Sequence, residues 1–425
     1  MTFSLRTRRP SRSIRAVTAA VLVSASTLAT TGQASALELE MPAIAGGEAL
    51  PGYPHPVQHE GAPVPQPFGP DYLAGYISDI SAHQGGVYWE IINGFDDLRA
   101  NHPDVMAQNL EYTVAINNEA PSIPGRVERA QQDAAADRDG VFVAFADALG
   151  EELGTHFLDA LAEDRLPKAK YLLGNGYLAR GGGLASSTFI EKEIFRYPRP
   201  FVVAPDRVNR YEIADRDFYE VSKAFPSGHT NQATWVTTLL AVALPELAPQ
   251  ILARGSEAGF NRMVMGVHYP LDVIGGRMTG VAAAADRWND PKMRNALQQA
   301  AQEIRAELEW RTGRPLAESV AADNPYRTTG QAVKEYTERM NYGFTPVYNQ
   351  NAPMIVPQAA PDLLLGAFPE LSYGQRAEIL RQTAGPAGMP LDKQGPEGSW
   401  QRLNLAAAMA AQVQVGPDGA VSVLN

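Results

Sequence analysis

No cysteine occurs in the 425 residues, so disulfides and thiolate metal sites are excluded and the fold has to be held by packing. Positive charge is in deficit, with 36 Lys and Arg against 47 Asp and Glu for a formal charge of −11. That balance argues against nucleic acid or an anionic membrane as partner, because both select a basic surface. Long hydrophobic runs are missing too: past the N-terminal segment the longest spans residues 233–244, broken by Thr237 and Thr238 and too short to cross a bilayer. An integral membrane protein is therefore not expected. Alternating Val, Ile, Thr and aromatic stretches hardly occur, which points to an all-α fold. Histidine is scarce at seven copies, so the position of each one carries information.

What is present begins with a basic, acid-free leader. Arg6, Arg8, Arg9, Arg12 and Arg15 precede an apolar stretch from Ala16 to about Thr30 and the small-residue pattern Ala34-Ser35-Ala36. This reads as a secretory signal peptide cleaved near Ala36, giving a secreted, periplasmic or extracellular protein. Loss of that segment removes five arginines and takes the charge to −16. Residues 37–75 are rich in Pro and Gly and read as an extended arm, with His55 and His59 as exposed arm histidines rather than a metal pair. Residues 76–315 carry helical patterning and form the expected catalytic domain. Within it, residues 140–163 put Phe142, Phe145, Leu149, Leu153, Phe157 and Leu161 on one face of a core helix, and residues 285–315 read as a surface helix. Residues 316–425, loop-rich and then helical again, read as a C-terminal extension or small subdomain. The fold expected is an all-α bundle with its active site at helix ends and loop-rich extensions at both termini.

Three segments concentrate unlike polar groups in apolar surroundings. "KEIFRYPRP" sets Lys192 and Arg199 seven residues apart, nearly two helical turns, so that both cations can project from one helix face before Pro198 and Pro200 end it. "FPSGHT" offers Ser227 as an N-cap, Gly228 for close backbone approach and His229 at the start of an apolar helix, where exposed N–H groups bind phosphate. "NRMVMGVHYPLDVIGG" places Arg262, His268 and Asp272 at spacings of six and four; a helix starting at Pro270 would let Asp272 accept from one imidazole nitrogen and leave the other as a nucleophile. Any one segment alone also reads as a solvated charged face or a plain serine cap. Together they supply three cations, a hydroxyl, backbone donors, two histidines and a carboxylate, the inventory that phosphoryl transfer needs.

The motifs K-x6-R-P (Lys192 to Pro200), P-S-G-H (Pro226 to His229) and R-x5-H-x3-D (Arg262 to Asp272) resemble, in order, those of the type 2 phosphatidic acid phosphatase superfamily. That superfamily includes soluble bacterial class A acid phosphatases, membrane lipid phosphatases and vanadium haloperoxidases. The resemblance implies that Lys192, Arg199 and Arg262, with Ser227 and the Gly228 N–H, hold phosphate. It further implies that His268 forms a phosphohistidine, Asp272 orients it and His229 protonates the leaving alkoxide. The implied activity is hydrolysis of a small phosphomonoester without a metal or other cofactor, vanadate acting as inhibitor. The resemblance also admits a homodimer. Asn261 departs from the family pattern, in which many members have serine before the arginine. The span of 33 residues from His229 to Arg262 is short for a haloperoxidase, in which vanadate would be the cofactor. A phosphate-binding protein without turnover is the other alternative, and its mark would be loss of His229, His268 or Asp272.

Overall fold

The structure, a computed structural model, describes residues 55–81, 87–174, 179–182, 187–212 and 223–424. The leader, the first part of the arm and Tyr177, upstream of the first motif, lie outside these residues. The principal helices are α1 (Pro103–Glu119), α2 (Arg126–Asp139), α3 (Glu151–Ala162), α4 (Phe189–Phe195), α5 (Gly228–Ala243), α6 (Ala248–Val264), α7 (Pro270–Asn289), α8 (Pro291–Thr312), α9 (Thr329–Arg339) and α10 (Tyr373–Gln382). The fold is all-α. The departure is one small hairpin of β1 (Val413–Val415) and β2 (Val421–Val423), antiparallel with Gln414 opposite Ser422.

Helices α5, α6 and α7 form the centre. Every residue of α5 from Thr230 to Val242 is buried, as is α7 from Pro270 to Ala285, so both are apolar or small nearly all round. Two glycines of α7, one turn apart, set how closely α5 lies. A Cβ at Gly276 would sit 2.5 Å from the Ser227 carbonyl oxygen, and one at Gly280 would sit 2.6 Å from the Thr234 Cβ. No larger residue fits this seam without moving the start of α5. Helix α8 instead buries one face, through Met293, Ala296, Leu297, Ala300, Ile304 and Leu308, and starts at Asp290, whose carboxylate accepts from the N–H groups of Lys292 and Met293.

Two sequence expectations need correction. The pattern over residues 140–163 is not one helix: Val141–Phe145 and a 3-10 turn at Ala146–Leu149 are separated from α3 by Gly150. Gly150 has φ 114°, open to glycine, and Asp323 caps the restart by accepting from the N–H of Glu152 and Leu153, both at 2.9 Å. The apolar face survives because Phe142, Phe145, Leu149, Leu153 and Phe157 are all still buried. Likewise residues 285–289 belong to α7, and the surface helix starts at Pro291.

Residues 316–424 contribute Leu363, Leu364, Ile379, Leu380, Leu403 and Leu405 to the same apolar cluster as Leu239 and Ile274 of the central helices. Residues of the arm are tied down by Arg165, which donates to the carbonyls of Val57 and Pro63 and pairs with buried Glu307. His59, exposed as expected, is paired with Glu163 at 2.9 Å and stacked on Trp310.

Candidate active site

The second motif builds a helix start. Ser227 is the N-cap of α5, with φ −74° and ψ 115°, and its Oγ accepts from the Thr230 N–H at 3.3 Å and the Thr230 hydroxyl at 2.8 Å. Its own hydroxyl hydrogen is thereby left to donate elsewhere. The Gly228 N–H lies in the first turn, ahead of any helical acceptor and at the positive end of the dipole. Ser227 is bolted to the third motif, its N–H donating to the Asp272 carbonyl at 2.9 Å.

The third motif depends on a tight helix exit. Arg262, fully buried, stands in the last turn of α6, and Gly266 follows with φ 71°. The Val267 N–H returns to the Arg262 carbonyl and the Gly266 N–H to that of Met263, the paired bonds of a Schellman turn. The chain then reverses into His268 and restarts at Pro270 as expected, with Asp272 one turn into α7. Asp272 Oδ2 accepts from the Tyr269 N–H at 2.9 Å and from His268 Nδ1 at 3.0 Å. On the other side of the imidazole, Arg199 Nη1 lies 2.8 Å from His268 Nε2. A guanidinium only donates, so Nε2 must present its lone pair and Nδ1 must carry the hydrogen given to Asp272. The tautomer is thus fixed from both sides, with the free lone pair on Nε2.

For the first motif the structure corrects the geometry. Helix α4 stops at Phe195, where Arg196 turns into the left-handed region at φ 47°, so Lys192 and Arg199 are not on one helix face. Arg199 lies between Pro198 and Pro200, extended at ψ 153°, as a residue before proline prefers. It reaches the site from there, donating also to the Val267 carbonyl at 2.7 Å. Lys192 reaches it from α4, its Nζ donating to the carbonyls of Lys223 and Ala224 just ahead of the second motif. Arg196 points to solvent and bonds its own helix end at the Glu193 carbonyl.

The electrostatics follow from burying three cations together. Burial, with Arg262, Arg199 and Lys192 adding to it, pushes His229 well below its ordinary value, opposed by a hydrogen bond to the Ala134 carbonyl of α2. His268 is pushed down in the same way, by burial and then Arg199, Lys192 and Arg262. Burial and the neighbouring Arg199 also lower Lys192. Asp272 goes the other way, up to about 7, because burial outweighs the Tyr269 N–H, Lys192 and Arg199. The cluster gathers all eight sequence-predicted residues around the positive charges of Lys192, Arg199 and Arg262.

Several supporting residues escaped the sequence reading. Asn109, Thr113 and Asn117 form a buried polar stripe along α1 at four-residue spacing. Asn109 accepts from the Leu271 N–H, Thr113 donates to the His268 carbonyl, and Asn117 donates to the carbonyls of Val264 and Asn209. They clamp both ends of the loop that carries His268. An aromatic floor joins the motifs from below: Phe225 stacks on Phe95 at 3.7 Å and meets Phe195 edge-on, while Tyr197 contacts both Phe95 and Tyr269. Such pairs add about 1 kcal/mol each beyond their burial. Phe195 and Tyr197 are therefore packing residues. Asn261, the departure from the family pattern, donates to Asp133, which also pairs with Arg254, and so ties α6 to α2 beside His229. Among the described residues no group of three or more His, Asp or Glu is placed to hold a metal ion.

Residues 172–295 match the family model described as the PAP2 superfamily. A non-specific acid phosphatase of Providencia stuartii is 31% identical over 180 residues, 42% of this chain and 67% of that protein. A non-specific acid phosphatase of Salmonella typhimurium is 31% identical over 127 residues, 30% of this chain and 49% of that protein. An acid phosphatase of Zymomonas mobilis is 31% identical over 106 residues, 25% and 39% of the two chains. This chain thus spans from under half to two thirds of the length of these relatives.

Proposed function

This chain belongs to the PAP2 superfamily, and from that premise we propose that it is a phosphomonoesterase of the acid phosphatase type, working through a phosphohistidine. The observation that carries the reading is the doubly fixed imidazole of His268, with Nδ1–H given to buried Asp272 and the Nε2 lone pair turned toward Arg199. Lys192, Arg199 and Arg262 bind the non-bridging oxygens of a phosphate, joined by the Ser227 hydroxyl and the Gly228 N–H. His268 Nε2 attacks phosphorus; the P–N bond forms as the P–O bond to the alcohol breaks, and the leaving oxygen takes a proton from His229. A water, deprotonated by His229, then attacks phosphorus, releasing phosphate and restoring the imidazole. The substrate dianion itself supports the acid role, because its charge reverses the shift that the three cations impose on His229.

The mechanism as read draws on these side chains and no metal or other cofactor, with vanadate binding the cradle as a mimic of the five-coordinate phosphorus. The leader at residues 1–36 supports export. No described helix is long and apolar enough to cross a membrane.

The test is hydrolysis of a chromogenic phosphomonoester from pH 4 to 9 in excess chelator, with and without vanadate, beside His268→Ala. Alkaline detergent quenching during turnover of a labelled substrate should trap a base-stable phosphoryl group, released by later acid treatment, on the parent and none on the variant. Loss of turnover on chelation, or labelling unaffected by His268→Ala, would overturn the mechanism. Halide oxidation with vanadate and peroxide, without ester hydrolysis, would replace the activity.

A further inference from the structure

Beside the first two turns of α5, a small cavity lies among α5, α6, α7 and α9. Its walls include Thr230, Thr234, Arg277, Tyr336, Arg339 and Tyr342. The centre of a water-sized sphere has about 10 Å³ to move in there, room for a single small occupant.

The charge around it does not balance. Arg277 is 5% exposed and sits in the middle of α7. Its guanidinium donates to the carbonyls of Gln401 at 2.8 Å and Leu403 at 3.4 Å, and its Nε–H has no acceptor among the described residues. Beyond these carbonyls its neighbours are the phenols of Tyr336 and Tyr342, and among the described residues no carboxylate joins them. Burial holds both phenols above their ordinary value, so they stay neutral donors and supply no compensating charge. Arg339, the second cation in the wall, already has Glu335 at 3.3 Å. A guanidinium does not lose its proton, so Arg277 is a permanent buried charge with only neutral partners.

We propose that this cavity is a binding site for a single monatomic anion, a halide of chloride size, held by Arg277 together with the phenol groups of Tyr336 and Tyr342. Room for one small occupant favours a monatomic ion and the uncompensated guanidinium favours a negative one; neutral water meets the first condition alone. The site also touches the catalytic framework, because Thr230 in its wall gives its hydroxyl hydrogen to Ser227 Oγ.

Thermal unfolding of the full chain in sodium chloride, sodium bromide and sodium gluconate at equal ionic strength tests the proposal without reading activity. Chloride and bromide should raise the midpoint by about 2–4 °C over gluconate, saturably. Arg277→Met should abolish that difference, and Tyr342→Phe, which keeps the ring, should shift half-saturation to several-fold higher halide. A protein equally stable in all three salts overturns the site, as does an unchanged halide increment in a folded Arg277→Met. Should that variant not fold, crystals grown in bromide decide: an anomalous peak against Arg277 is expected, and a cavity without one holds water only and ends the proposal.

Discussion

Replacing Asp272 with Asn tests the nucleophile at its most buried point. The substitution keeps volume and leaves a carbonyl oxygen able to accept from both His268 Nδ1 and the Tyr269 N–H, now 3.0 and 2.9 Å from Oδ2. Above about pH 7, where Asp272 is ionised, it removes a negative charge 3.0 Å from an imidazole that becomes cationic as the P–N bond forms. With an effective dielectric of about 20, one charge at that distance is worth about 5 kcal/mol. Because about 1.4 kcal/mol is a factor of ten in rate, kcat should fall roughly 10³- to 10⁴-fold. If the amide turns its NH2 toward Nδ1, the hydrogen moves to Nε2 and the nucleophile is lost as well, which deepens the defect. The assay is steady-state hydrolysis of a chromogenic phosphomonoester across pH, with the thermal midpoint of each protein measured beside it. KM should change far less than kcat, since Asp272 faces the histidine and not the phosphate. The kcat/KM profile should also change shape near pH 7, because the carboxyl that burial holds up to about 7 no longer titrates. A folded variant that keeps kcat within tenfold of the parent would refute the assignment of Asp272 as the group that supports the nucleophile.

Other consequences can be checked independently. His229 and His268 are both held below 6.5, so the stability linked to their neutrality is complete above that value and lost as pH falls; a bound dianion offsets the loss. Sulfate, dianionic throughout, should bind more tightly at pH 5 than at pH 8 and take up protons, as calorimetry in two buffers of different ionisation heat would register; proton release would contradict this. Burial alone would raise Glu257, yet Arg129 and Arg254 bring it down to about 2. Its contribution of about 3 kcal/mol should therefore be present above about pH 4.5 and disappear toward pH 2, and Glu257→Gln should flatten that part of the stability profile measured by denaturant melts. Gly276→Ala drives a methyl group to 2.5 Å from the Ser227 carbonyl, so it should cost about 1–3 kcal/mol and lower activity by displacing the cap. Gly280→Ala, directed at Thr234 and Asn231, should cost similar stability in a melt but spare more of the turnover.

How far the sequence reached depended on the range of the forces involved. Ser227 as N-cap and Pro270 as helix start were legible because capping is decided within four residues, and both helices begin there. The short hairpin was local too: "VQVGPDGAVSV" alternates on both sides of a Gly-rich turn, a signal outweighed by the helical character of everything around it. Periodicity was a weaker guide to continuity. Apolar spacing over residues 140–163 located the buried face correctly but could not reveal Gly150 as a break, because the carboxylate that pays for the restart comes from Asp323. The Lys192 and Arg199 pair shows the same limit in reverse, for the cations meet through a left-handed residue and two prolines rather than through a shared helix face. Least visible was the scaffold of His268. Asn109, Thr113 and Asn117 repeat every four residues, a polar stripe that on a helix marks either a wet face or a buried clamp, and only their partners 92 to 162 residues away distinguish the two. The grouping of His268 with Asp272 and the cations was therefore readable from three short motifs, whereas the rigidity that holds its imidazole in place comes from a helix that lies wholly outside them.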